Sequence, residues 1–250
     1  PGGTALSGTI SLNSESDVFD VAINPRAEQI GYAGKEHITI LSSGGETIAE
    51  LSHGEPTYER IAFDMGAERW WGYNSIDNSF HAFSNDYEFV ESIQLSIPDL
   101  EVIDLFKVYN SNYMLLAGVN SQHNGTIWIY DILNKDYSYY EPNGIALSLN
   151  FVDEDTLASL ISSSTGVHIE LYNVSAQAVE GTIDVNTNFA ITLGIDPDGK
   201  IYYASNRGIY QANEDDHKLV GYIDNIPESA YSEAMMKIFP LSDKCYVWVS

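Results

Sequence analysis

Five apolar runs in this chain end at nearly equal intervals. Phe63, Val108, Phe151, Ile195 and Phe239 each close such a run and are followed within a few residues by a polar turn, at steps of 45, 43, 44 and 44 residues. Ile23 extends the series one step earlier, at 40. A period near 44 residues, filled with short strands, is the signature of a radial β-array. A unit of that length cannot bury its own apolar face, so the repeat predicts one domain across the 250 residues rather than two.

Each unit reads as four strands. The first is apolar and runs into a turn, as in Ile61-Ala62-Phe63-Asp64-Met65-Gly66 and Leu193-Gly194-Ile195-Asp196-Pro197-Asp198-Gly199. In the latter, Pro fixes φ and Gly accepts φ > 0, which is hairpin-turn chemistry. Trp70-Trp71-Gly72-Tyr73 reads as a second strand, Phe80-His81-Ala82-Phe83 as a third, and Val179-Glu180-Gly181-Thr182-Ile183 as a fourth. No run carries helical periodicity; apolar residues alternate or cluster in short stretches bounded by Gly, Asn, Asp, Ser and Pro.

The two ends fit together. Leu6-Ser7-Gly8-Thr9-Ile10-Ser11-Leu12 reads as a fourth strand with nothing before it, while Met235 to Phe239 and Cys245 to Val249 supply a first and a second strand. Pairing them closes a ring and removes the free sheet edge at the seam. The expected fold is therefore all-β: a six-bladed β-propeller of four-stranded antiparallel blades, one domain over residues 1–250, closed by the N-terminal strand. The closing blade lacks a third strand, so either it is short or the natural chain runs on past Ser250. The opening Pro1-Gly2-Gly3-Thr4 has no Met, in keeping with a trimmed form or a piece of a longer chain.

Certain strands resemble known repeats. Gly125-Thr126-Ile127-Trp128-Ile129-Tyr130-Asp131-Ile132 resembles the third strand of a WD repeat, which usually ends in Trp-Asp, and residues 167–174 are a weaker echo. Asp196-Pro197-Asp198-Gly199-Lys200-Ile201-Tyr202 resembles the turn of many sugar-lactonase and NHL-type blades. On these residues the chain resembles the broad WD-repeat and quinoprotein-like β-propeller superfamily, as architecture and over nearly its whole length. True Trp-Asp pairs and the Gly-His signature are absent. The resemblance implies the fold and a habit of binding partners, and it carries over no catalytic residue.

Charge narrows the partners. With 36 acidic and 11 basic residues the net charge is -25, so phosphate backbones and anionic membrane surfaces are repelled. Basic proteins, divalent cations and neutral glycans stay open as ligands, beside the plain reading that the charge keeps the protein soluble. No stretch reaches the ~20 apolar residues a membrane helix needs. Cys245 is alone and alternates within a strand pattern, as a small buried hydrophobe would. Asn124-Gly125-Thr126 and Asn173-Val174-Ser175 match the glycosylation acceptor pattern, which matters only in a secreted eukaryotic protein.

In a propeller the fourth-to-first and second-to-third loops share one face. Here the fourth-to-first segments carry Glu15 and Asp17; Glu55, Glu59 and Arg60; Asp99, Glu101 and Asp104; Glu141; Asp184; and Asp224 with Glu228. This acidic crown, with Arg60 as its basic member, is the expected ligand- or partner-binding face. Converging carboxylates suit a basic protein or calcium, the one ion considered as a cofactor. Asp196-Pro197-Asp198-Gly199 fails as a calcium loop, because Arg207 stands where a bidentate Glu is required.

Other constellations are weaker. His37, His81, His123 and His168 recur at steps of 44, 42 and 45, which the repeat alone explains. Their strands lie well out from the axis, whereas zinc ligands converge to roughly 2 Å. No Gly-x-Ser-x-Gly elbow or glycosidase motif is present. Trp70, Trp71 and Tyr73 suggest a sugar-stacking platform, although alternation puts the two Trp on opposite faces, one of them toward the core. The leading expectation is a non-catalytic binding module, extracellular, periplasmic or cell-surface. The alternatives are a glycan- or lactone-active enzyme with a carboxylate or calcium site at the channel mouth, and a structural subunit of a larger cell-surface assembly.

Overall fold

The computed structural model describes residues 18–95, 97, 102–110, 112–120, 124–185, 190–196, 198–205, 208–213, 217–222, 236–240 and 245–249. Every regular element among them is a strand, and no helix is long and apolar enough to cross a membrane. Five sheets are four-stranded antiparallel meanders, each of the form expected of a blade. The chain divides into two compact units, one comprising Ile10–Ser121 with Trp128–Tyr139, the other Pro1–Thr9, Gln122–Ile127 and Tyr140–Ser250.

In the first unit, blade 1 is β1 (Asp20–Asn24), β2 (Gln29–Ala33), β3 (Ile38–Ser42) and β4 (Thr47–Leu51). Blade 2 is β5 (Tyr58–Asp64), β6 (Arg69–Asn74), β7 (Ser79–Phe83) and β8 (Phe89–Gln94). Blade 3 is β9 (Val102–Tyr109), β10 (Tyr113–Val119), β11 (Gly125–Asp131) and β12 (Asp136–Tyr140), of which Gly125–Ile127 and Tyr140 count with the second unit. First strands are neighbours from blade to blade, β1 beside β5 and β5 beside β9. Hydrogen bonds stitch blade 1 to blade 2, among them Ile61 N–H to the buried Asp20 carboxylate at 3.1 Å, Tyr58 N–H to Gly34 C=O at 3.1 Å and Gln29 Nε2–H to Tyr87 Oη at 2.7 Å.

Blade 2 is apolar on both faces, and each face forms a core. Trp70 packs with Ala22, Ile38, Ile40, Tyr58, Ile61 and Phe83 between blades 1 and 2. Trp71 packs with Phe80, Phe106, Met114 and Trp128 between blades 2 and 3. Both indoles are fully buried, so neither is a sugar platform and both, not one, are core. The blades approach so closely that only glycine fits at two contacts. A Cβ on Gly31 would lie 2.5 Å from Trp70 Cζ3, and one on Gly72 would lie 2.5 Å from Ile38 Cδ1 and 2.7 Å from Tyr58 Cδ1.

In the second unit, blade 4 is β13 (Ile145–Phe151), β14 (Thr156–Ser163), β15 (Gly166–Asn173) and β16 (Ala178–Asp184). Blade 5 is β17 (Ala190–Ile195), β18 (Ile201–Ser205), β19 (Gly208–Ala212) and β20 (His217–Tyr222). A two-stranded sheet, β21 (Met236–Pro240) and β22 (Cys245–Val249), follows. Here β13 lies beside β17 and β17 beside β21, and Ser148 Oγ donates to Leu193 C=O at 3.2 Å. Leu160, Ile169, Leu193 and Tyr203 anchor the core between blades 4 and 5.

The expected count of six four-stranded blades is corrected to five. The sixth sheet holds two strands among the described residues, and the N-terminal strand assigned to it, residues 6–12, lies outside them. The Asp196 turn is the expected hairpin: Asp196 Oδ1 accepts from the Asp198 and Lys200 N–H groups, and Gly199 takes φ +79°.

Register shifts recur at fixed places. Third-to-fourth pairings shift at Ile40/Leu41, Ala82/Phe83, Leu171/Tyr172 and Ile209/Tyr210. Such bulges twist an outer strand and blunt it against edge-to-edge pairing. First-to-second pairings carry a second series, in which Glu59, Asp104, Leu147 and Ile191 are each an extra residue near the head of β5, β9, β13 and β17.

Candidate functional site

A bulge re-aims the side chain at the point where a strand enters its sheet. In blades 2 and 3 the extra residue is an acid, Glu59 or Asp104, and in blades 4 and 5 it is Leu147 or Ile191. The acidic heads of the neighbouring strands β5 and β9 are therefore a local property of the first unit. Glu55 is exposed in the loop that leads into β5. Arg60 follows Glu59 and donates to its carbonyl at 2.8 Å. Asp104 lies in β9 by its backbone.

The remaining expected site residues fall elsewhere. Glu141 and Asp184 belong to the second unit, both exposed, one just after β12 and the other ending β16. Asp17, Asp99, Glu101 and Asp224, with Glu15 and Glu228, lie outside the described residues. Among the described residues no three His, Cys, Asp or Glu side chains are grouped to hold a metal ion, so the calcium expectation gains no support from them.

At the same end of blade 2, the β4–β5 loop and the β6–β7 turn are tied together. Thr57 N–H donates to Asn74 Oδ1 at 2.9 Å, and Ser75 N–H donates to Thr57 C=O at 3.1 Å. Tyr73 stands beside this junction with its hydroxyl on Asn78 Oδ1 at 3.1 Å; burial, then the Glu59 carboxylate, pushes its phenol up.

Below the junction runs a chain of four polar side chains. Tyr58 Oη is 2.8 Å from His81 Nδ1, and His81 Nε2 is 2.8 Å from Ser79 Oγ. Ser79 Oγ donates to Asp77 Oδ1 at 2.6 Å. The donors can be assigned from this end. Ser79 commits its single hydrogen to Asp77 and so must accept from His81 Nε2–H. Burial pulls the His81 pKa below its ordinary 6.5 and keeps the ring neutral at pH 7, leaving Nδ1 to accept the Tyr58 hydroxyl hydrogen. Burial pushes the Tyr58 phenol well up.

The direction of this chain decides its chemistry. A catalytic serine needs a base that takes its proton. Here the histidine gives a hydrogen to the serine, the serine gives its own to the aspartate, and Ser79 is buried. The constellation contains Ser, His and Asp but is wired as structure. Replacing Tyr58 by Phe strands the buried His81 Nδ1, so the expected cost is about 1–3 kcal/mol, read as a lowered urea midpoint with unchanged m-value.

The four recurrent histidines do not share a role. His37 lies 3.6 Å from Glu50 Oε1, His81 is in the chain above, His168 Nε2 lies 3.1 Å from Glu170 Oε1, and His123 is outside the described residues. Sequence reading missed one further cluster, in the second unit. Tyr140 stacks on Tyr172 at 4.1 Å and bonds Ser159 Oγ at 2.8 Å. Beside them the buried Glu170 leaves Oε2 without a hydrogen-bond partner. Its one sequence signal is a charged residue at a core-facing strand position.

No family model matches the chain, and no curated protein matches it. Among solved structures it is similar to the crystal structure of the RRP9 WD40 repeats, with a TM-score of 0.61 and 12% identity over 90% of this chain and 70% of that one. The fold is a β-propeller, similar in architecture to those WD40 repeats. At that identity the likeness is one of architecture, and the expected resemblance to the WD-repeat-like superfamily holds at that level.

Proposed function

We propose that this β-propeller is a non-catalytic protein-binding module whose fourth-to-first loop end takes a basic partner. The observation that carries the reading is the pair of acidic bulges, Glu59 and Asp104, at the heads of the neighbouring strands β5 and β9, with Glu55 exposed beside them. Bulges are conserved devices at functional edges, and acids at the heads of neighbouring strands suit a cationic partner. The net charge of -25 adds long-range attraction for such a partner. The serine–histidine–aspartate chain, with its hydrogens running the wrong way for a nucleophile, favours binding over catalysis.

The test is a capture experiment from native extract and medium. Wild type is compared with a variant neutralised at Glu55, Glu59, Asp99, Asp104 and Asp224 by Gln or Asn. The expected result is a partner retained by wild type and weakened about tenfold or more in the variant at low salt, with Tm unchanged or raised. Equal retention by both proteins would sink the reading.

A further inference from the structure

Two Asn-Gly pairs, Asn124-Gly125 and Asn143-Gly144, lie against each other in the second unit: a Cβ on Gly125 would be 2.6 Å from the Gly144 carbonyl oxygen. The fold demands the second glycine. Gly144 takes φ +152°, and a Cβ on it would collide with Ser162 C=O. Its neighbour Asn143 stands exposed in the β12–β13 loop, just before the head of β13, and no described residue hydrogen-bonds its side chain. An exposed amide beside a nitrogen that no Cβ shields can react with it.

We propose that Asn143 is a site of spontaneous deamidation, which adds a carboxylate to the fourth-to-first loop that leads into blade 4. The Gly144 nitrogen bonds to Asn143 Cγ, the bond from Cγ to the side-chain nitrogen breaks, and ammonia leaves carrying the Gly144 amide proton. The product is a five-membered succinimide. Water then opens that ring at either of its carbonyl carbons. Opening at Cγ gives aspartate; opening at the main-chain carbonyl gives isoaspartate, in which the chain runs on through Cβ and Cγ. Water is the one co-reactant, and nothing is oxidised or reduced.

The surroundings of the two pairs differ. The Gly144 N–H donates to Pro142 C=O at 2.7 Å, a three-residue turn that opens without breaking a strand ladder. Gly125 instead belongs to β11, Thr126 Oγ1 donates to Asn124 C=O at 3.3 Å, and Asn124 is engaged in a further interaction. Conversion at Asn143 places a negative charge two residues from the exposed Glu141. The isoaspartate form also lengthens the backbone by one methylene next to Gly144, which has no room to take it up. The Ile145–Ser162 pairing at the head of β13 must then give way. The inference does not depend on what the loop end binds.

Peptide mapping by mass spectrometry tests it, on the whole protein aged at mildly alkaline pH, once folded and once in urea. In urea both Asn-Gly pairs should gain one mass unit at similar rates. In the folded protein Asn143 should convert at least about tenfold faster than Asn124, because the ordered strand holds the latter closed. Folded wild type should build up a more acidic species on anion exchange. Asn143→Gln should lose most of it, since glutamine would have to close a six-membered ring. Asn124 converting as fast as Asn143 in the folded protein would overturn the proposal. So would an intact Asn143 after the time it takes to convert in urea, or an undiminished acidic species in Asn143→Gln.

Discussion

Truncating either tryptophan of β6 to alanine is expected to cost about 3–5 kcal/mol, a large part of the stability of a domain this size. Trp70 and Trp71 are both fully buried, and each fills a different inter-blade core. Blade 2 cannot shift to close the void on one face without opening a gap on the other. Trp70→Ala should also lose the close contact with Gly31, whose missing Cβ is what lets the indole lie flat on β2. Urea unfolding followed by tyrosine fluorescence and far-UV circular dichroism would read the loss. A cost under 1 kcal/mol for either variant would show that the blades do not interlock as described.

The converse substitution overfills the same contact. Gly31→Val places a branched side chain where even a Cβ lies 2.5 Å from Trp70 Cζ3 and 2.9 Å from Ile61 Cδ1. The expected penalty is about 1–3 kcal/mol or more, since close-packed blades give way only by shifting backbone. Pairing it with Trp70→Leu should recover part of the loss, because both residues act on one contact. Simple additivity of the two penalties would mean that they act independently and that the steric reading of Gly31 is wrong. The double-mutant cycle needs only equilibrium denaturation of four proteins.

The period of the fold was legible because every blade spends similar lengths on four strands and their turns. The positions of Ile61 to Asp64 and of Leu193 to Ile195 followed from apolar runs ending in turn residues. The blade count was less secure. It depended on residues 6–12 serving as a fourth strand, and sequence pattern gives no distance between the two ends of a chain. For Trp70 and Trp71, alternation gave the opposite faces correctly. It could not say that both faces are covered, since the same alternation occurs in sheets with one wet side.

The candidate site was legible only as composition. Glu59 and Asp104 were two acids among many in the fourth-to-first segments, and a bulge is a matter of register between two strands and leaves no mark in either alone. His81 was visible only as a member of a periodic histidine set. Its partners Tyr58, Ser79 and Asp77 come from β5, β7 and the preceding turn, and only the folded sheet brings a phenol, an imidazole, a hydroxyl and a carboxylate into line.

The most direct measurement is hydrogen exchange on the wild-type protein, free and bound to the partner retained in the capture experiment. Binding at the loop end of blade 2 should slow exchange in residues 52–60 and 75–78 while leaving the first-to-second turns at 25–28 and 65–68 unchanged. Protection confined to those turns, at the other end of the same strands, would contradict the assignment of the binding face.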